Sequence, residues 1–493
     1  MSAITLHSTN ISLVPDSRRV LLRSFIPGDT NRIIHTITRA LALSEAEVES
    51  ELSLLMDGFA KRHLDLHQLW QQNFEKVKSY LFTSKALSAP RQLYIGALFS
   101  GEYSLESAAL FNPSIVLHPD QSNISEGSLR FILSLRATGE GHVSSIEFRS
   151  GVINETYAIT MEEPSSYVIA PKINTNTNYV KSIFEHKVME MGFENEWSAL
   201  IMTSLDSDFS LSQLEKAVEE VSFGKKPLVQ ELHRTIECVR WLAESNYEVC
   251  FDPSTHLAER AIFPISSNES NGMEDARFVR FLKDDGTTIY YGTYTAYNGR
   301  SILPQLLETK DFLSFRSITL NGSAVQNKGL ALFPRMIDGR YAMVSRQDGE
   351  NLYLMYSDNL HFWHDAKLLR CPGSPWEGVN IGNCGSPIET EKGWLLITHG
   401  VGPMRKYCMG AMLLDLNDPS IVLSALKNPL ITPQENEREG YVPNVVYSCG
   451  TMIHRDRLIL PYGISDTATN ITTVELKELF EALERDKVGQ SFS

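Results

Sequence analysis

A chain of 493 residues with 42 % hydrophobic and 9 % aromatic residues can bury a large interior, so one repeat-built domain or two to three smaller ones are expected and long disorder is not. A formal net charge of −15 opposes non-specific binding to nucleic acid or an anionic membrane, yet permits a local cationic pocket for a phosphate-bearing ligand. The opening MSAITLHSTNISLVPDSRRVLLRSF lacks a basic region followed by an apolar run, and the six cysteines (Cys238, Cys250, Cys371, Cys384, Cys408, Cys449) form no CxxC pair; the expectation is a cytoplasmic protein with reduced thiols, no membrane span and no metal site.

Residues 1–98 read as a helical extension. Ile33, Ile34, Ile37 and Leu41, then Val48, Leu52, Leu55, Met56 and Phe59, recur at helical spacing, and Ser44 with Glu47 forms a capping box. No chemistry is visible there; packing on the main body or contact between copies in a homo-oligomer is its expected role. Residues 99–493 read as the catalytic domain. From Phe111 the texture changes to short strands broken by Gly, Asn and Asp turns, beginning with SLRFILSLRATGEGHVSSIEFRSG. A helical insertion at about 167–247 follows, with KSIFEHKVMEMGF, LSQLEKAVEEVSF and LVQELHRTIECVRWLAES all apolar at helical spacing. The β grammar then returns in DARFVRFLKDDGTTIYYGTYTAYNG, ALFPRMIDGRYAMVSRQDGENLYLMYSDNL, SPIETEKGWLLITHGVGPMRKYCMGAMLLDL and NVVYSCGTMIHRDRLILPYGISDTATNITTVEL. Five such units of three or four antiparallel strands predict a mainly β fold, a five-bladed β-propeller, over the alternative of a large sandwich or barrel. An amphipathic helix at about 473–487 ends the pattern.

A propeller gathers the inner strand ends of all its blades around one cleft, so functional residues should lie far apart in sequence. The acidic candidates are Asp275 (GMEDARF) and Asp466 (YGISDTAT); the basic ones are Lys328 (NKGLALFPR), Arg346 (MVSRQDG), and Arg405 with Lys406 (GPMRKY). His399 ends the apolar strand WLLITHG, and Asn112, Asn380, Asn383, Tyr441 and Asn444 stand at strand starts. Singly, each reads more readily as a turn cap, an ion pair or a strand-end residue. Recurrence at one place in successive units is what favours function. Inverting glycosyl transfer needs a carboxylic acid at the scissile oxygen and a nucleophile on the opposite sugar face. When that nucleophile is phosphate, fixed cationic donors replace the second carboxylate.

The ordered set FNPSI, GMEDARF, NKGLALFPR, MVSRQDG, WEGVNIGNCGSPIETEKGWLLITHG, MGAMLLDLNDPS, EGYVPNVVYSCG and YGISDT resembles glycoside hydrolase family 130, the β-mannoside phosphorylases and some β-mannosidases, built on a five-bladed propeller. The resemblance runs over about 112–473 without the insertion. It implies that Asp275 is the catalytic acid, delivering its proton through the sugar's 3-hydroxyl, with Ala276 in place of the family's usual proline. It implies that Asn112 and Asp466 hold the mannosyl unit, joined by Asn380 and Tyr441, while Arg277 steadies the acid loop. Lys328, Arg346, His399 and Tyr407 fall at the phosphate-binding positions, with Arg405 close by. Two departures are Asn380 where many phosphorylases carry Lys or Arg, and Lys328 where Arg is common. The implied activity is inverting phosphorolysis of β-manno-oligosaccharides to α-mannose 1-phosphate, with inorganic phosphate as co-substrate and no other cofactor. The alternatives are a β-mannosidase using water, with Glu377 or Glu439 as base, and a non-catalytic carbohydrate-binding propeller.

Overall fold

The computed structural model describes residues 4–83, 85–165, 167–174, 177–223 and 230–487. Its body is mainly β, with helices added at both ends and in one insertion. Antiparallel strand groups follow one another along that body, the first two joined into one sheet by the parallel pairing of Gly272 with Ser144. The first holds Ala109–Leu117, Leu129–Thr138 and Ser144–Ile153; the second Gly272–Leu282, Thr288–Tyr297, Ile302–Thr309 and Ser314–Thr319. The third holds Ala331–Leu332, Tyr341–Ser345, Leu352–Ser357 and Ala366–Arg370; the fourth Asn380–Asn383, Gly393–Val401, Tyr407–Leu414 and Val422–Ala425. The fifth holds Val446–Tyr447, Arg457–Ile464 and Ala468–Glu475.

Apolar clusters hold each unit to the next. Phe148 of the first unit packs with Phe278 and Phe315 of the second; Phe281 of the second with Met343 and Trp363 of the third. Phe333 of the third unit meets Trp394 of the fourth edge-on at 5.0 Å, and Met409 of the fourth packs with Val446 and Leu458 of the fifth. Ile459 and Ile471 of the fifth then pack on Leu110 and Phe131 of the first, so the chain of contacts returns to its start. Strands buried on both faces, such as GWLLITHGV at Gly393–Val401, need continuous apolar runs, which is why these segments read so clearly in the sequence.

The N-terminal section differs from the helical extension expected. Four helices are present, Thr30–Ala42, Glu45–Phe59, Leu66–Val77 and Ala89–Leu98, and the Ser44–Glu47 capping box forms. Ahead of them, however, Leu6–Leu13 pairs antiparallel with Ala468–Glu475 and completes the fifth unit as its outer strand. Its side chains alternate between exposed and half-buried, so a largely polar edge carries little periodic signal. At the other end the helix is Leu476–Arg485, because residues 473–475 still belong to the strand.

The insertion forms the helices Lys181–Glu190, Glu196–Thr203, Leu211–Ser222 and Gln230–Ser245 around their own core; residues 224–229 of the expected pattern lie outside the described residues. It docks on the outer strand of the second unit. There the buried Lys187 donates to Thr319 O (2.8 Å), Thr319 Oγ1 (2.9 Å) and Asn246 Oδ1 (3.1 Å), and burial pulls its ammonium down to about 7.

Candidate active site

The first strands of the first two units each carry a bulge. Regular pairing breaks between Phe111 and Ser114 and again between Glu274 and Arg277. Asn112 and Asp275 sit in these breaks with φ of 49° and 54°, left-handed values that Asn and Asp tolerate better than most residues. The bulges turn both side chains towards each other, so that Asn112 Nδ2 donates to Asp275 Oδ1 at 2.6 Å. Gly272, at the start of the same strand, allows the first unit to approach: a Cβ there would stand 2.4 Å from Ser144 Oγ. Asp466 occupies a third left-handed position (φ 50°), in the turn between Arg457–Ile464 and Ala468–Glu475.

Arg136, near the end of Leu129–Thr138 in the first unit, ties the carboxylates together. Its Nη2 donates to Glu274 Oε1 at 2.7 Å, its Nη1 to Asp275 Oδ1 at 3.3 Å and its Nε to Ser144 Oγ at 3.1 Å. Lys328 Nζ closes on Glu274 Oε2. The buried Arg277 folds back so that Nη1 donates to the Asp275 carbonyl at 2.8 Å, and Nη2 donates to Tyr447 OH. Burial alone would raise the Asp275 carboxyl; the positive charges of Arg136, Arg277 and Lys328 outweigh it and hold the group below the usual carboxylate range. Asp466 behaves oppositely. Burial and the negative charge of Asp275 push it up to about 6, with Arg136 and Arg405 pulling the other way.

A second cluster forms beside the first. Arg346 Nη1 lies 3.4 Å from Asn380 Oδ1 and 3.3 Å from His399 Nε2, while Arg346 Nε is buried without a partner. His399 Nδ1 is 3.1 Å from the Asn383 carbonyl, which only accepts, so the proton is on Nδ1 and Nε2 faces Arg346 as an acceptor. Burial, Arg346 and Arg277 keep the imidazole well below its ordinary value, and therefore neutral. Tyr407 lies parallel to the ring at 6.0 Å, and Tyr447 meets it edge-on at 4.8 Å. Tyr447 thus touches both clusters.

The structure brings together Asn112, Asp275, Arg277 and Lys328 in one cluster and Arg346, Asn380, His399 and Tyr407 in the other. Lys328 turns to Glu274, although its neighbour Gly329 lies against Arg346. Arg405 is exposed on the Asp466 side. Tyr441 stands at the rim, 58 % exposed, with its ring 5.4 Å from that of His142. Sequence reasoning missed Arg136, Glu274 and Tyr447. Glu274 stood beside Asp275 in the quoted motif; Arg136 lies 139 positions from Asp275, and only the pairing of the first two units joins them. Glu377, considered above as a base, is fully buried; Arg370 donates to it at 3.1 and 3.0 Å, and the Gly373 and Ser374 amides at 2.9 and 3.0 Å. All six cysteines are free, and among the described residues no helix is long and apolar enough to cross a membrane.

The glycoside hydrolase 130 family model, described as beta-1,4-mannooligosaccharide phosphorylase, matches residues 240–485. Over 227 residues the chain is 36 % identical to a 1,2-beta-oligomannan phosphorylase of Thermoanaerobacter sp., an overlap that covers 44 % of this chain and 74 % of that one. Over 232 residues it is 31 % identical to a beta-1,2-mannobiose phosphorylase of Listeria innocua, covering 45 % of this chain and 63 % of the relative. A solved structure of beta-1,2-mannobiose phosphorylase from Listeria innocua, in complex with beta-1,2-mannobiose, aligns over 77 % of this chain and 93 % of its own, with 23 % identity and a TM-score of 0.46.

Proposed function

The chain belongs to glycoside hydrolase family 130, and from that premise we propose that it cleaves β-manno-oligosaccharides by inverting phosphorolysis, on a five-bladed β-propeller whose centre holds both clusters. The products are α-mannose 1-phosphate and a shortened sugar, with inorganic phosphate as co-substrate. The observation that carries this reading is the half-buried Arg346 beside the acid cluster, whose described side-chain contacts are to neutral groups and whose Nε is enclosed without a partner. A partly desolvated cation without a counter-charge favours an anion, and a phosphate dianion supplies that counter-charge through charge-assisted hydrogen bonds. Water as nucleophile needs a free carboxylate base; of the two considered, Glu377 has both oxygens already taken and Glu439 is solvent-exposed.

Asp275 acts as the acid, and Arg277 fixes its main chain. The cations keep Asp275 ionised in the unliganded protein. Phosphate arriving at Arg346 adds negative charge to the same site and favours the protonated acid. As Arg346 turns its Nη1 from His399 to the anion, the freed Nε2 of the neutral imidazole accepts from the P–OH of hydrogen phosphate. The acid's proton then passes, by way of the mannosyl 3-hydroxyl, to the leaving oxygen as the C1–O bond breaks, while a phosphate oxygen bonds C1 from the opposite face. Asn112 and Asp466 grip the mannosyl unit.

The reverse reaction tests this reading. Incubation with α-mannose 1-phosphate and β-1,2- or β-1,4-manno-oligosaccharide acceptors should lengthen one acceptor series and release one phosphate per mannosyl added. Failure of both series, with hydrolysis of the same oligosaccharides, would overturn the proposal.

A further inference from the structure

We infer that His186, Glu190 and His364 form a zinc-class divalent metal site that staples the helical insertion to the third β unit. His186 and Glu190 stand one turn apart on the helix Lys181–Glu190, and His364 comes from the loop between Leu352–Ser357 and Ala366–Arg370. Both imidazole Nε2 atoms converge on one carboxylate oxygen: His186 lies 3.2 Å and His364 3.1 Å from Glu190 Oε1. All three ligand atoms lie within 4.8 Å of one another. Metal–ligand bonds of about 2.0–2.1 Å in a tetrahedron separate the ligand atoms by roughly 3.3 Å, so an ion fits with little rearrangement.

Two further features point to a cation. Glu190 Oε2 is buried and has no hydrogen-bond partner, and the same holds for Asn321 Oδ1. Asn321 lines one cavity with Glu190 and His364, so the residues that carry these two unpartnered acceptors border the same space as one of the imidazoles. The His186 ring is braced on Phe362 at 4.2 Å. Two imidazoles and one carboxylate suit zinc and its neighbours rather than calcium or magnesium, which take oxygen ligands. Lys187, the next residue, anchors the same helix to the second unit. The metal therefore fixes the insertion at a second point, away from the acid and cation clusters.

Full-length protein stripped with a chelator and titrated with zinc chloride should bind one ion per chain with high affinity, and at about 100-fold excess over the dissociation constant its thermal midpoint should rise by on the order of 3 °C. Glu190→Gln preserves a hydrogen-bond acceptor for the histidines but loses the anionic ligand; it and His364→Gln should each weaken zinc binding at least about tenfold and abolish the shift, with turnover unchanged. Equal zinc stoichiometry and affinity in wild type and both variants, or no thermal shift in wild type, would overturn the assignment.

Discussion

The two halves of the candidate site follow opposite electrostatic plans. Around Asp275 charge is balanced in place: Arg136 and Lys328 pair with Glu274, and Arg136 also reaches Asp275. Around Arg346 the only partners are neutral, at 3.3 and 3.4 Å, and the guanidinium Nε has none. A balanced cluster is assembled before any ligand arrives. A half-buried cation with neutral neighbours gains most from an incoming anion, which is what a binding half of the site requires. On the proposed reading, the first half supplies the proton and the second receives phosphate.

Removing the acid should have the largest effect. Asp275→Asn is expected to lower kcat by about two to four orders of magnitude while circular dichroism shows a folded chain. Near wild-type turnover would reduce the balanced half to a structural ion-pair network. Next comes the other half: Arg346→Ala should raise the KM for phosphate about 10- to 100-fold, from the loss of charge-assisted bonds of about 1.5–3 kcal/mol, and leave the KM for the mannoside within about twofold. An equal rise in both constants would mean that Arg346 shapes the pocket as a whole.

Asp466 sharpens the comparison through pH. Its folded-state value of about 6 lies above the ordinary 3.8, so the folded protein holds this proton more tightly than the unfolded chain does. The resulting stability is complete below the unfolded value and is lost as pH rises through about 6. At neutral pH the ionised group therefore opposes folding by up to about 3 kcal/mol, at ~1.4 kcal/mol per unit. Asp466→Asn should raise the urea midpoint at pH 7, change it little near pH 4, and weaken mannoside binding. An unchanged midpoint at pH 7 would place this carboxyl in a far more solvated setting. The smallest effect on turnover is expected at the insertion. Lys187→Met should destabilise the protein by about 1.5–3 kcal/mol through lost buried bonds to Thr319 and Asn246, yet keep kcat within about twofold.

The mainly β body was legible because its strands are buried and apolar and its turns carry Gly, Asn and Asp. Leu6–Leu13 was not, since an outer edge strand alternates only weakly and its pairing with Ala468–Glu475 spans almost the whole chain. In the site, His399 stands out as the end of an apolar strand, whereas Asp275 and Arg346 are marked by their recurrence in successive units and by the family resemblance. Arg136 looked like one more charge within LRFILSLRAT, and its contact with Asp275 exists only once two units join. Glu377 was ambiguous in sequence; its ion pair with Arg370 and the turn amides it caps removes it from the candidate bases. The spacing of His186 and Glu190 was readable on its helix, but the third ligand, His364, lies in another unit.

Phosphate dependence tests the central claim most directly. Initial rates of β-manno-oligosaccharide cleavage, followed by ¹H and ³¹P NMR, should rise saturably with phosphate, with α-mannose 1-phosphate as the first-formed product and almost no cleavage in phosphate-free buffer. Free mannose released at full rate without phosphate would contradict the account and make the enzyme a hydrolase.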